Sequence, residues 1–154
     1  MLISESHFNP KSYFKIPHCN IYYTNHPVGT AHAGTAVIVK QTISHYELPA
    51  YEEDFLQATS IQVRTLPYEL TVIALYSPPK YNLKKDHYEL FFNTLGPRFM
   101  AGGDYNSKHT VWGSRVTTNK AENYSTSFNE RITHSYLRET KLTGLRTPPN
   151  NRTF

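Results

Sequence analysis

Pro97-Arg98-Phe99-Met100-Ala101-Gly102-Gly103-Asp104-Tyr105-Asn106-Ser107-Lys108-His109-Thr110-Val111-Trp112-Gly113-Ser114 is the stretch that decides how this chain is read. A short apolar run, Phe99 to Ala101, breaks at two glycines, and Asp104, Asn106, Lys108 and His109 follow at once. That order predicts a buried strand that stops and hands polar side chains to a loop beyond its end. Rigid strands that present loops of acid, amide and imidazole are a common way to build a site. Adjacent glycines also remove the Cβ atoms that would keep a ligand, or another strand, away from the backbone. A plain Gly-Gly-Asp turn leading into a surface loop accounts for the same composition equally well.

The length of 154 residues suits one domain with a real core and not two. Hydrophobic residues make up a modest 38%, but twelve tyrosines can supply large buried areas. A single cysteine, Cys19, excludes an internal disulfide and fits a reducing compartment. No apolar run approaches the length of a membrane span, and Met1 is not followed by a charged and then an apolar leader. The expectation is a soluble, intracellular protein without a membrane partner. The net charge of +4 would ordinarily suggest a polyanionic partner. Residues 1–114, however, carry nine Lys/Arg against nine Asp/Glu, and residues 115–154 carry seven against three. The excess lies wholly in the last segment, so any nucleic-acid site in the body must rest on local geometry.

Along the chain, Met1-Leu2-Ile3-Ser4-Glu5 reads as a stub of apolar strand ending in a carboxylate, and a chain starting this close to an element is expected to start inside a domain. Ile21–Thr24 is aromatic and β-branched, which favours a strand. Gly34–Lys40 is a nearly continuous apolar run, as in a strand buried on both faces. Residues 42–55 lack periodicity and read as a connection. Ala58–Arg64 alternates, and Leu70–Tyr76 is the strongest strand, ended by Pro78-Pro79. Between residues 83 and 95, Leu83, His87, Leu90, Phe91 and Leu95 share one helical stripe, and Gly96-Pro97 stops it. These elements predict an α+β layered arrangement. Residues 117–154 are mostly polar and are expected to pack poorly.

Cutting a phosphodiester needs a nucleophilic water, charge neutralisation on the phosphoryl oxygens, and help for the leaving oxygen. A hard cation such as Mg²⁺ supplies the last two and prefers carboxylate and water oxygens. Acids at strand ends are the candidates, and two qualify: Glu5 and Asp104. By residue type alone Glu5 also reads as a solvated surface acid. Tyr76, in Leu75-Tyr76-Ser77-Pro78-Pro79, reads equally as a core aromatic at a strand end. A zinc site built from His18, Cys19, His26 and His32 lacks the paired ligand spacing such sites use.

Gly102-Gly103-Asp104-Tyr105-Asn106-Ser107-Lys108-His109 with Trp112-Gly113-Ser114 resembles the GGDFNAKH-x-x-WGS stretch of the endonuclease domain of jockey-type non-LTR retrotransposons. Leu2–Phe8 resembles that family's LISETHF, Tyr76–Pro79 its Y-x-P-P, and His32–Ala36 its H-G-G-T-A. The family belongs to the endonuclease/exonuclease/phosphatase (DNase I-like) superfamily. The resemblance implies a partial DNase I-like α/β sandwich, a mixed sheet with a helix packed on it and the second sheet largely missing. By the same resemblance Glu5 holds Mg²⁺, Asp104 polarises or deprotonates the attacking water, Asn106 orients it or holds the phosphate, and the Tyr76 hydroxyl approaches the scissile phosphate. His109, Lys108 and His32 become phosphate contacts or loop supports. Ala33 replaces a glycine, which matters only if that position needs positive φ.

The resemblance covers roughly residues 1–118 and leaves 119–154 as a divergent, basic tail. Family members begin earlier and continue through further strands to a Ser-Asp-His segment, neither of which has a counterpart here. The expected function is thus a remnant of an endonuclease that nicks DNA to prime reverse transcription, nuclear by resemblance. The alternative is a catalytically dead nucleic-acid-binding or protein-interaction fragment, with a partner covering a sheet face that half a sandwich leaves bare.

Overall fold

The computed structural model describes residues 1–142, apart from the side chains of Trp112 and of residues 131–142. Its elements are β1 (Leu2–Ser4), β2 (Cys19–Thr24), β3 (Thr35–Lys40), β4 (His45–Glu47), β5 (Tyr51–Glu53), β6 (Leu56–Arg64), β7 (Glu69–Tyr76), α1 (Lys85–Asn93), β8 (Phe99–Asp104) and α2 (Asn119–Leu142). A 3-10 turn spans Thr110–Trp112. The smaller sheet has the order β1-β3-β2, and the larger runs β4-β6-β7-β8 with β5 also on β6. Every pairing is antiparallel except β7 with β8, which run parallel because α1 carries the chain back between them.

Alternation along β6 and β7 splits their apolar residues between two layers. Leu56, Ala58, Ile73 and Leu75 face Leu83, Tyr88, Phe91, Phe92 and Leu95 of α1 and its flanks. Ile61 and Ala74 face the other way, onto Val37 and Val39 of the smaller sheet. Phe91 and Phe92 are each 1% exposed, so α1 is pinned by its aromatic face although Leu90, expected on the buried stripe, is 64% exposed. The expected sandwich is present, and the sheet expected to be largely missing amounts to three strands.

Three expectations are corrected. The connection at residues 42–55 holds β4 and β5, whose side chains are mostly exposed and whose existence rests on backbone pairing with β6. No burial pattern marks such strands in a sequence. The larger sheet is not left with a bare face, because the smaller sheet covers one side and α1 with α2 the other. The polar segment expected to pack poorly forms α2 over Asn119–Leu142. Its Tyr124 and Phe128 join the first core, and Ala121 is fully buried. The Thr118 hydroxyl accepts from the Ala121 N–H, as a helix N-cap does. The part of the expected tail beyond residue 142 lies outside the described residues.

The two glycines of β8 have different reasons to be there. A Cβ on Gly103 would lie 1.8 Å from the Leu75 carbonyl oxygen of β7, whereas one on Gly102 would meet only the Leu2 Cδ1 at 2.9 Å. Backbone cannot move aside as a leucine methyl can. Gly103→Ala is therefore expected to cost at least ~3 kcal/mol, the upper end of ordinary overpacking, and Gly102→Ala only about 1 kcal/mol. Urea denaturation followed by circular dichroism checks the order; equal losses contradict it.

Candidate active site

Three strand ends meet at one edge of the sandwich. In the parallel β7–β8 ladder Tyr76 stands beside Asp104, the last residue of each strand. Ser4, the last residue of β1, reaches across from the smaller sheet. Its hydroxyl donates to the Leu75 carbonyl at 2.9 Å and accepts from the Asp104 N–H at 2.9 Å. Glu5 follows immediately, in the left-handed region at φ 52°. A non-glycine residue holds that conformation only where its surroundings enforce it.

The enforcement comes from the Ser6 N–H donating to the Gly34 carbonyl at 3.2 Å and the His7 N–H to the Ala33 carbonyl at 2.9 Å. Gly34 is at φ 78°, and a Cβ there would sit 2.8 Å from the Thr24 carbonyl oxygen. Burial first, then the polar contact and charge of the nearby Glu5 carboxylate and the charge of Asp104, raise the Tyr76 phenol well above its ordinary value. The phenol therefore stays protonated. Tyr76 is 6% exposed, while Glu5 and Asp104 are open to solvent.

Asp104 begins an Asx turn: its Oδ1 accepts from the Asn106 N–H at 2.8 Å, and Asn106 takes the left-handed φ of 46° that asparagine tolerates. Tyr105 packs inward and shares a hydrogen bond with the Tyr124 hydroxyl at 3.2 Å. The alternation leaves Asp104 facing out. Beyond the turn, the Lys108 carbonyl accepts from the Thr118 N–H at 2.8 Å and closes the loop. The His109 Nδ1 accepts from the Val111 N–H at 3.1 Å and caps the 3-10 turn. The Lys108 side chain is exposed.

Glu5, Tyr76 and Asp104 are thus gathered at one point, with Asn106 on the turn beside them. His32 is not part of that group. It lies on the β2–β3 connection at the same end of the sandwich, where its ring is 4.1 Å from that of buried His26 and bonded to the Thr30 hydroxyl. Among the described residues no three His, Cys, Asp or Glu side chains come close enough to hold a metal by themselves.

Lys120 was not foreseen. It is 5% exposed, and its Nζ donates to the carbonyls of Ser77 at 3.3 Å and Pro78 at 3.0 Å, the two residues after Tyr76. The Asn123 amide donates to the Leu83 carbonyl, and the Ser127 hydroxyl to that of Lys85. Helix α2 therefore straps down the segment that leaves Tyr76. Burial lowers the Lys120 ammonium from its ordinary 10.5 to about 8, against the opposing pull of the Asp104 charge. The signal available in the sequence was the Thr118 cap followed by Ala121, Tyr124 and Phe128 at helical spacing.

No family model matches the chain. It is 36% identical over 114 residues to the RNA-directed DNA polymerase from mobile element jockey of Drosophila funebris, and 34% identical over 114 residues to that of Drosophila melanogaster. Each match covers 74% of this chain and 12% of the relative, so the chain spans about an eighth of their length. Among solved structures, the endonuclease domain of TRAS1, a telomere-specific non-LTR retrotransposon, superposes with a TM-score of 0.59 at 21% identity. That match covers 75% of this chain and 54% of the other.

Two outcomes follow from this geometry. Ala33 does adopt positive φ, 55°, where the resembling motif has glycine. Ala33→Gly is expected to stabilise the fold by about 0.5–1 kcal/mol, the left-handed penalty less the extra entropy of glycine; an unchanged or lower denaturation midpoint contradicts this. The lowered Lys120 pKa means that between pH 8 and 10 the unfolded chain binds the extra proton, so stability rises with pH in that window. Melting series for the parent and Lys120→Met should show the rise in the parent only.

Proposed function

The chain is a homologue of the jockey-type retrotransposon RNA-directed DNA polymerases and has a DNase I-like endonuclease fold, and from that premise we propose that it carries the strand-nicking chemistry of such an element. The reading rests above all on one observation: Glu5, Tyr76 and Asp104 converge from three separate strands. Two exposed carboxylates beside a buried, protonated phenol offer oxygen ligands for a hard cation and a hydrogen-bond donor for a phosphate oxygen.

Glu5 would hold Mg²⁺. The donor set fits, because Mg²⁺ keeps most of its waters and takes one or two carboxylates with substrate phosphate oxygens. When bound, the ion supplies charge neutralisation on the phosphoryl oxygens and on the leaving oxygen. Asp104, one oxygen fixed by the Asn106 N–H, keeps its other oxygen to take a proton from the attacking water. Tyr76 stays protonated and offers its hydroxyl as a donor toward a phosphate oxygen. The Asn106 amide can hydrogen-bond the anion without adding repulsive charge. Lys108 and His109, on the loop just beyond, would meet the nucleic-acid backbone. In the whole element the nick would expose a 3′-hydroxyl that primes reverse transcription in the nucleus.

Relaxation of supercoiled plasmid in Mg²⁺ tests the reading. The folded chain should nick, and Asp104→Ala should lower the rate by about 10²–10⁴-fold, the usual worth of a general base. Glu5→Gln should abolish the dependence on Mg²⁺ concentration together with the activity. Nicking that persists unchanged in Asp104→Ala, or a folded parent that does not nick, overturns the proposal.

A further inference from the structure

Charge within the body of the molecule is distributed unevenly, although its total is neutral. Residues 6–46 contain three lysines, five histidines and no aspartate or glutamate, whereas residues 47–114 hold eight acids against six Lys/Arg. The acid-free segment begins next to Glu5 and builds the β1–β2 loop together with β2 and β3. Tyr22 turns its ring into the sandwich core, so Tyr23 projects from the outer face of the smaller sheet. Phe8 packs edge-on against Tyr23 at 5.5 Å, and Phe14 lies 6.2 Å from Phe8. Tyr13 is 86% exposed and Phe14 54%. Lys11 and Lys15 flank this pair in sequence, are exposed, and form no ion pair among the described residues.

The loop is held in shape rather than loose. The Ser12 N–H donates to the Asn9 carbonyl at 2.8 Å, the Asn9 N–H to the Ser12 hydroxyl at 3.0 Å, and the Lys11 N–H to the Asn9 Oδ1 at 2.9 Å. Beside it runs an open groove of about 370 Å³ lined by Phe14, Lys15, Asn20 and Tyr22 among others. Phe14 leans on Phe8 with half its surface still exposed, and Tyr13 stands almost wholly in solvent. Two adjacent rings flanked by lysines on a pre-shaped, acid-free turn are what stacked bases and a phosphate backbone require.

We propose that the loop at residues 8–18 is a platform for single-stranded DNA, with unpaired bases stacking on Tyr13 and Phe14 and phosphates meeting Lys11 and Lys15. It shares with the preceding reading the premise that DNA is the partner, but it does not require this chain to cut. The loop runs from the Glu5 end of the smaller sheet, where Phe8 meets Tyr23, to the far end where β2 begins. A strand lying along its whole length would span that sheet and reach the end that carries Glu5. An unpaired stretch flanking the nick would thereby be held by the face of the smaller sheet.

Fluorescence anisotropy of a labelled oligothymidylate, with the same strand in duplex form as comparison, tests this. The folded chain should bind the single strand, and Tyr13→Ala/Phe14→Ala should weaken that binding roughly tenfold or more. Lys11→Gln/Lys15→Gln should reduce the slope of log affinity against log salt by about 1.4, two phosphates' worth for a single strand. All four side chains are solvent-facing, and matched melting temperatures will show that the variants fold. Binding is read in EDTA with no Mg²⁺ present, which separates it from nicking, so a failure of catalysis leaves this proposal standing. Unchanged single-strand affinity in both double variants overturns it, as does retention of anionic lipid vesicles but not oligothymidylate through the same residues.

Discussion

One hydroxyl joins the three strands on which everything else depends. Ser4 accepts from the last N–H of β8 and donates to a carbonyl near the end of β7. Both partners lie in the last two positions of their strands, so the serine side chain of β1 is tied to the end of the β7–β8 ladder. A net worth of about 1 kcal/mol is ordinary for such bonds, but the consequence here is positional. The bond sets where β1 ends relative to β7 and β8, and Glu5 is the next residue. Close approach of β8 to β7 at Gly103, which only a residue without a Cβ permits, brings Asp104 level with Tyr76.

The electrostatics at this point are lopsided. Two carboxylates face water on one side of Tyr76, while a buried ammonium, Lys120, sits behind the residues that follow it. Burial disfavours the charged form of both groups, the Lys120 ammonium and the ionised Tyr76 phenol, and the negative charges of Glu5 and Asp104 hold the phenol further toward its protonated form. Structure maintained against local preference is the usual mark of a site rather than of a scaffold. Positive φ at Glu5, His7, Ala33 and Asn106, all around the same end, belongs to the same pattern.

How much of this was legible in the chain depends on what holds each part. Strand β3 buries five of its six residues, β6 six of nine and β7 five of eight, so apolar residues announce them. The residue that ends β8, Asp104, is announced by the break at two glycines. Strands β4 and β5 have exposed side chains and exist through backbone pairing, which leaves no trace in residue type. Helix α2 was hidden by its Thr, Ser and Asn content, which lowers intrinsic propensity; tertiary packing of Ala121, Tyr124 and Phe128 overrides it. Glu5 alone carried no signal distinguishing it from a surface acid, and only the likeness of its neighbours to a known segment singled it out. Lys120 went unnoticed because a lysine in a polar stretch is ordinarily solvated, and only the docking of α2 buries it.

The central claim is that Glu5, Tyr76 and Asp104 form one cation-ready site at the meeting of three strands. Paramagnetic broadening of amide signals by substoichiometric Mn²⁺, a stand-in for Mg²⁺, tests it most directly and needs no turnover. Signals of residues 4–7, 76–77 and 104–106 should broaden first and together, and Glu5→Gln should remove the effect. Broadening centred elsewhere, or unchanged by Glu5→Gln, would contradict the account.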